Sequence, residues 1–280
     1  MFLIFDTETT GLPKKWSAPL TDFENWPRAI QVAWQVHDLN GNCISNQSYI
    51  VHPEGFSIPF DSEKIHGIST QLAKKNGVEI TFVLEKFQDD LNKSKFICGH
   101  NLNFDEKILG SEYLRINGTN PLQDFPKIDT CTEETAGICM LTGGRGRKYK
   151  LPTLMELYSH LFNEKFDSAH NASADVEATA LCLFKLLKEQ KIHPVSISGD
   201  LEILNNLKDI DINKARVHDI KHIDLFKESR LLKQSLEPEK VESKVFSEVT
   251  EQEFKFGHLH SYTQFSILQS TSKISDLLKY

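Results

Sequence analysis

Two acidic residues, Asp6 and Glu8, follow an apolar run at the start of the chain. Side chains alternate between the two faces of a β-strand, so the sequence predicts that both carboxylates point to one side. Two like charges this close repel each other unless a cation lies between them. The pair therefore indicates a cation site at the end of a buried strand.

Two further acids come where helices are predicted to begin. Asp105 follows a short apolar strand, and Asn103 is predicted to cap the helix whose dipole favours that carboxylate. Asp175 lies at a similar loop-to-helix junction, with His170 five residues earlier in the loop. Taken singly, each of these residues has an ordinary interpretation as a helix-start acid or a surface histidine.

Considered together, the four carboxylates suggest a common site. Carboxylates from one strand end and two helix starts can converge on two divalent ions about 3.5 to 4 Å apart, the arrangement that cleaves phosphodiesters. Hard oxygen ligands favour Mg²⁺ or Mn²⁺ over Zn²⁺. His170 adds a group that titrates near neutral pH and can take a proton from an attacking water.

The surrounding pattern predicts an α/β domain over residues 1–194. Three adjacent strands, predicted to pair antiparallel, are followed by strands that alternate with helices, which gives a mixed sheet. The predicted strands cover residues 2–6, 28–38, 43–52, 95–100 and the stretch PKIDT. Helices are predicted in three stretches between residues 60 and 94, over 103–118, and in the stretches LPTLMELYSHLF and SADVEATALCLFKLLKEQ.

Three short motifs in this domain resemble those of a known enzyme superfamily. FDTETTGL, GHNLNFD and HNASAD, in this order and spacing, resemble the exonuclease motifs of the DEDDh 3'-to-5' exonucleases, which have a ribonuclease-H-like fold. The stretch IPFDSEKIHGIS (58–69) is similar to a segment of the proofreading epsilon subunit of bacterial DNA polymerase III. The resemblance covers about residues 1–190.

The resemblance implies a function and a set of site residues. It implies two-metal-ion hydrolysis that removes nucleoside 5'-monophosphates from DNA 3' ends, as proofreading for a replicative polymerase. The implied metal ligands are Asp6, Glu8, Asp105 and Asp175, with His170 as the general base. The residues implied to contact the terminal nucleotide are Thr9, Thr10, His66 and Phe104, with Asn101 and Asn103 as alternatives.

The last part of the chain carries a second resemblance. Residues 195–254 are charged and are predicted to be a linker with short helices. Residues 255–280 resemble the start of the polymerase-and-histidinol-phosphatase domain of the polymerase III alpha subunit, which implies fusion to that polymerase. The alignment departs at Tyr262, where a metal-site histidine is expected, so His258 and His260 make a weak site.

Two other stretches suggest partners. HIDLF (222–226) resembles peptides that dock on the replicative sliding clamp, and its alternative interpretation is one turn of a packed helix. GGRGRKYK (143–150) concentrates four cations around Tyr149, which fits either a phosphate contact or a solvated loop.

Composition limits the remaining alternatives. The chain has 280 residues, a formal net charge of -7, and neither a membrane-length apolar run nor a signal peptide, so a cytoplasmic, nucleoid-associated protein is expected. Five cysteines without a CxxC pair indicate reduced thiols. The rival functions are an RNA-trimming exonuclease of the oligoribonuclease or ribonuclease T type and a non-catalytic module that binds nucleic-acid ends. A small-molecule α/β protein is disfavoured because no glycine-rich phosphate loop follows the first strand.

Overall fold

Five strands form one mixed sheet. The computed structural model describes residues 1–144, 146, 148–164, 171–192, 207, 210–217 and 223–236. The strands are β1 (Phe2–Thr9), β2 (Ala29–His37), β3 (Cys43–Ile50), β4 (Phe96–Gly99) and β5 (Lys127–Asp129). Their order in the sheet is β3-β2-β1-β4-β5. The first three strands pair antiparallel, whereas β4 and β5 run parallel to β1, which confirms the predicted mixed sheet.

Helices fill the connections around the sheet. They are α1 (Phe60–His66), α2 (Thr70–Asn76), α3 (Ile80–Leu91), α4 (Leu102–Asn117), α5 (Glu133–Cys139), α6 (Leu154–Phe162), α7 (Ala172–Lys188) and α8 (Leu225–Leu236), with a 3-10 turn at Ile212–Ala215. Helix α5 is absent from the sequence prediction, although Thr132 and Thr135 form a capping box at its start.

The two faces of β1 pack against different helices. Phe2 and Ile4 belong to one apolar cluster with α6 and α7, whereas Leu3 and Phe5 belong to another with α3 and α4. Strand alternation places Asp6 on the α7 face, and Thr7 on the α4 face. The end of β1 therefore projects polar side chains toward two different helix starts.

The start of α4 corrects one prediction. Asn103 lies inside the helix and does not cap it; the N-cap is Asn101, which has a left-handed backbone with φ 65° and no side-chain cap bond. Instead, Asp129 at the end of β5 accepts hydrogen bonds from the backbone N–H groups of Asn101 (2.8 Å) and Leu102 (3.0 Å). A carboxylate from the neighbouring strand thus satisfies the free donors of the first turn.

Described parts of the predicted linker pack on the domain, and Met1–Glu237 forms one compact unit. Leu225 of α8 is buried in a third cluster with Ile68 and Leu72. The Ser229 hydroxyl donates to the Gly67 carbonyl (2.6 Å) and accepts from the Ser69 N–H (3.1 Å). These contacts tie α8 to the turn between α1 and α2.

Truncating Leu225 tests whether α8 supports the domain. We expect Leu225→Ala to lower the free energy of unfolding by about 3 kcal/mol, the usual effect of removing a buried leucine side chain. Leu231→Ala, on the exposed side of α8, is the matched control and should change it by less than about 0.5 kcal/mol. Urea denaturation of the full chain gives both values, and equal effects would contradict a packed α8.

All five cysteines lie in the described residues and none forms a disulfide; Cys98 and Cys182 are buried, and the other three are half-buried. Among the described residues, no helix is long and apolar enough to cross a bilayer.

Candidate active site

Three carboxylates meet where β1 ends and α7 begins. Ligand oxygens of Asp6, Glu8 and Asp175 all lie within 4.8 Å of one another, and the three residues are half-buried. Gln31 of β2 holds the start of α7 in place: its side-chain carbonyl accepts from the Ala172 N–H (3.3 Å). Three acids distant in the sequence thereby form one cluster on one face of the sheet.

Asp105 approaches the same strand from the opposite face. It is buried, and its Oδ1 accepts hydrogen bonds from the backbone N–H (3.0 Å) and the hydroxyl (2.6 Å) of Thr7. Strand β1 pairs with β4 only from Phe2 to Ile4, so its last residues extend past β4 toward the start of α4. Asp105 is therefore bound to the residue between Asp6 and Glu8, and it lies outside the group of three mutually close carboxylates.

The electrostatics of the cluster favour a bound cation. Burial first, and then the charges of Asp105, Asp175 and Glu8, raise the pKa of Asp6 well above its usual value. Burial together with Asp175 and Asp105 raises the pKa of Glu8 to about 8. Burial also raises the pKa of Asp105 to about 7, against the opposing effect of its hydrogen bonds from Thr7. Several carboxylates that resist ionisation together fit a hard divalent cation, whose charge would offset their repulsion.

The predicted base, His170, lies outside the described residues. The next residue, Asn171, is described, and its side-chain oxygen caps α7 by accepting from the Ser173 N–H (3.2 Å). Its Nδ2 donates to the Ile223 carbonyl (3.0 Å). The role of His170 as general base stays a prediction.

The four residues predicted to contact the nucleotide have different surroundings. The Thr9 hydroxyl donates to the Gly11 carbonyl (2.7 Å), and the Thr10 hydroxyl accepts from the Arg28 N–H (2.9 Å), so both shape the turn after β1. His66 is buried at the end of α1. Phe104 is half-buried, while the two alternatives, Asn101 and Asn103, are exposed at the start of α4.

Sequence reasoning missed the residues that position the acids. Thr7 binds Asp105, Asp129 caps α4, and Gln31 and Asn171 join β2 to α7 through a 3.3 Å hydrogen bond. The signal available for Thr7 was its place between the two acids of β1; the signal for Asp129 was an acid at the end of a short strand. Neither pattern identifies the partner, because the partner lies far away in the sequence.

The basic loop is described only in part. Arg145 and Arg147 lie outside the described residues. Lys150 forms an ion pair with Glu156 of α6 at 2.6 Å, and the Lys148 ammonium lies 5.0 Å from the centre of the Tyr149 ring. One of the four predicted phosphate contacts is thus paired within the protein.

Comparison with known proteins shows the enzyme family to which the chain belongs. The RNase T exonuclease family profile matches residues 3–183, and the chain belongs to this exonuclease family. It is 28% identical over 227 residues to the PolC-type DNA polymerase III of Streptococcus mutans, covering 80% of this chain and 13% of the relative. It is 27% identical over 195 residues to the PolC-type polymerase of Latilactobacillus sakei, covering 67% and 11%. The chain thus spans about one-eighth of the length of these relatives.

Solved structures show the same fold. Escherichia coli exonuclease I in complex with a dT13 oligonucleotide matches with a TM-score of 0.51 and 23% identity, over 67% of this chain and 40% of that one. The same enzyme with a dA16 oligonucleotide matches with a TM-score of 0.52 and 21% identity, over 73% and 42%. The predicted ribonuclease-H-like α/β fold is confirmed.

The raised pKa values predict how stability depends on pH and metal. A group whose pKa is higher in the folded chain stabilises the fold at low pH and loses that contribution as the pH rises through the folded pKa. For Glu8 this window runs from 4.5 to about 8. We expect the melting temperature in EDTA to fall by about 5 °C or more between pH 5 and pH 8.5, and Mn²⁺ to reverse most of that fall.

Differential scanning fluorimetry in EDTA and in Mn²⁺ across this pH range measures the effect. Glu8→Gln removes one of the interacting charges, so its curve in EDTA should be flatter than that of the wild type. A wild-type melting temperature that is independent of pH in EDTA would contradict the raised pKa values.

Proposed function

We propose that this chain is a metal-dependent 3'-to-5' exonuclease that shortens DNA from a single-stranded or frayed end and proofreads for a bacterial DNA polymerase III. The observation that carries the proposal is the cluster of Asp6, Glu8 and Asp175, whose oxygens lie within 4.8 Å, with Asp105 bound to the same strand. The PolC-type relatives and the oligonucleotide-bound exonuclease I neighbours support a nucleic-acid substrate.

All four acids are metal ligands in this proposal. Asp6, Glu8 and Asp175 would hold Mg²⁺ or Mn²⁺, and Asp105 would complete a two-ion site from the other face of β1. Divalent ions, when bound, supply positive charge that activates water and stabilises the departing 3'-oxygen. His170 is proposed to take the proton of the attacking water, which leaves a nucleoside 5'-monophosphate as product.

Frayed ends are the preferred substrate on energetic grounds. A terminal nucleotide must leave its duplex before its phosphodiester can reach the half-buried carboxylates of Asp6, Glu8 and Asp175. A mismatched end has already lost its pairing energy, so it enters at lower cost than a paired end. Selective removal of mismatches then follows from the difference in unpairing free energy.

Partners and domain limits belong to the same proposal. We propose exonuclease and linker domains with boundaries near residues 194 and 254, a polymerase alpha-like segment after that, and a cytoplasmic location beside the replication machinery. Residues 238–280 lie outside the described residues, as do His258 and His260. Leu225, within the 222–226 stretch, is buried against Ile68 and Leu72. Clamp docking through this stretch would therefore require the start of α8 to detach from the domain.

Degradation of defined substrates tests the function. The full chain is incubated with 5'-labelled single-stranded DNA, a primer with a mismatched 3' end, a matched primer, and RNA of equal sequence, in Mg²⁺, Mn²⁺ or EDTA. We expect metal-dependent shortening from the 3' end that is fastest on single-stranded and mismatched DNA and absent in Asp6→Ala. Shortening of RNA alone would favour the RNA-trimming alternative, and binding without shortening would favour the non-catalytic module.

A further inference from the structure

One tryptophan stands apart from the other two in the chain. Trp16 exposes 47% of its surface, whereas Trp26 and Trp34 expose 2% and 0%. The indole N–H groups of the buried pair donate to the Pro19 carbonyl (3.0 Å) and to Asp90 (2.9 Å). These two side chains are structural, whereas Trp16 leaves about half of its indole surface available to a ligand.

The segment that carries Trp16 is held rigidly. Trp16 occupies a turn in which the Ala18 N–H donates to the Lys15 carbonyl (3.2 Å). The buried Asn25 binds the same residue twice: its Oδ1 accepts from the Lys15 N–H (2.7 Å) and its Nδ2 donates to the Lys15 carbonyl (3.0 Å). An indole presented on a fixed turn loses little conformational freedom when a ligand packs on it.

Trp16 contacts the start of α4, the helix that carries Asp105. Its ring centre is 5.8 Å from that of Phe104, with the planes inclined by 54°. Phe104 directly precedes Asp105, whose carboxylate binds Thr7. Trp16 therefore contacts the direct neighbour of Asp105, the residue that is bound to the end of β1.

Cations accompany the indole. Lys14 and Lys15 immediately precede Trp16, and both are exposed. An aromatic ring beside lysines is the combination that proteins use for unpaired nucleic acid, because bases stack on the ring while ammonium groups pair with phosphates. A nucleic-acid strand is favoured over a peptide or lipid partner because the indole contacts Phe104, the residue before Asp105.

We propose that Trp16 stacks on an unpaired base of the strand beside the phosphodiester that is cleaved. The inference rests on the proposed nuclease function and adds a base-binding residue to it. The stacked base holds the strand over the turn, and Phe104 supports the indole from the protein side. Stacking is tolerant of sequence because every base has an aromatic face.

Intrinsic fluorescence provides a direct test in the unaltered chain. Because the other two tryptophans are buried, quenching by added oligonucleotide reports on Trp16. The titration uses a single-stranded 12-mer of thymidylate and an abasic 12-mer, with Ca²⁺ in place of Mg²⁺ so that cleavage is slow. We expect quenching by the base-bearing strand and little by the abasic one; equal quenching by both, or none by either, would overturn the proposal.

Kinetics test the same contact through its effect on binding. Trp16→Ala should raise the KM for single-stranded DNA about tenfold or more, with kcat changed less than about threefold. Trp16→Phe should restore most of the affinity. The matched control is Phe82→Ala, a 40% exposed ring on α3 that contacts Tyr49, and it should leave KM unchanged.

The outcomes distinguish failure of the Trp16 stacking role from failure of the proposed nuclease function. If wild-type protein degrades DNA and Trp16→Ala has the wild-type KM, the stacking role is wrong and the nuclease function stands. If the wild type degrades no nucleic acid with any metal, the proposed function itself fails. Thermal unfolding of each variant shows whether a changed KM comes with a folded protein.

Discussion

Asp175→Asn is expected to reduce metal-dependent exonuclease activity about 10³-fold or more while raising the melting temperature of the metal-free protein. Asparagine keeps the shape of the side chain but removes a charge that acts on both Asp6 and Glu8. Losing one charged group of an electrostatic site commonly lowers the rate by about 10²- to 10³-fold, and a metal ligand should reach at least the upper value. Initial rates on single-stranded DNA in Mn²⁺ measure the loss.

The same substitution should stabilise the fold in EDTA. Less repulsion within the cluster is expected to raise the melting temperature by about 2 to 4 °C. Glu177→Gln removes an equal charge two residues along α7, outside the cluster, and should leave the activity unchanged. Activity within tenfold of wild type in Asp175→Asn, or a lower melting temperature in EDTA, would contradict the role of Asp175 in a cation site.

Glu112→Ala is expected to lower the free energy of unfolding by about 3 kcal/mol, as much as the loss expected for Leu225→Ala. The Glu112 carboxylate is buried, and its Oε1 accepts from Nε of Arg28 (2.8 Å) and from the Ala29 N–H (3.0 Å). Removing one partner of a buried pair leaves the other charge and a backbone donor without compensation. Arg115, 3.8 Å from Oε2, would lose its nearest carboxylate as well.

A matched ion pair on the same helix provides the control. Glu106 of α4 pairs with Lys127 at 2.7 Å, but the Lys127 side chain is 37% exposed. Glu106→Ala should therefore change the free energy of unfolding by less than about 1 kcal/mol, as is usual for pairs in contact with water. Urea denaturation compares the two, and a loss at Glu112 no larger than at Glu106 would contradict the structural role of the buried carboxylate.

Local patterns were sufficient for the order of the five strands and for the acids of β1. The apolar run before Asp6 predicts a strand, and the side-chain period of two places Asp6 and Glu8 on one face. Helices α2 and α6 begin after Ser69 and Thr153, whose side chains accept hydrogen bonds from N–H groups nearby in the chain. Such signals involve residues only a few positions apart.

Other features depended on residues far apart in the sequence. Asn103 looked like a cap, yet Asp129 from another strand satisfies the start of α4. The stretch containing Leu225 looked like part of a charged linker, yet that side chain is buried against Ile68 and Leu72. In both cases a tertiary contact outweighs a weak local preference.

By itself the sequence determined that the chain has a mixed α/β fold, which acids stand at its strand end and helix starts, and which enzyme family they resemble. Only the tertiary structure decided how those acids are arranged: Asp175 joins Asp6 and Glu8 on one face of the sheet, whereas Asp105 binds Thr7 from the other. It also placed Trp16 on Phe104, a contact between residues 88 positions apart. The reason is physical: local periodicity sets where a side chain points, but only the packing of distant elements determines what it meets.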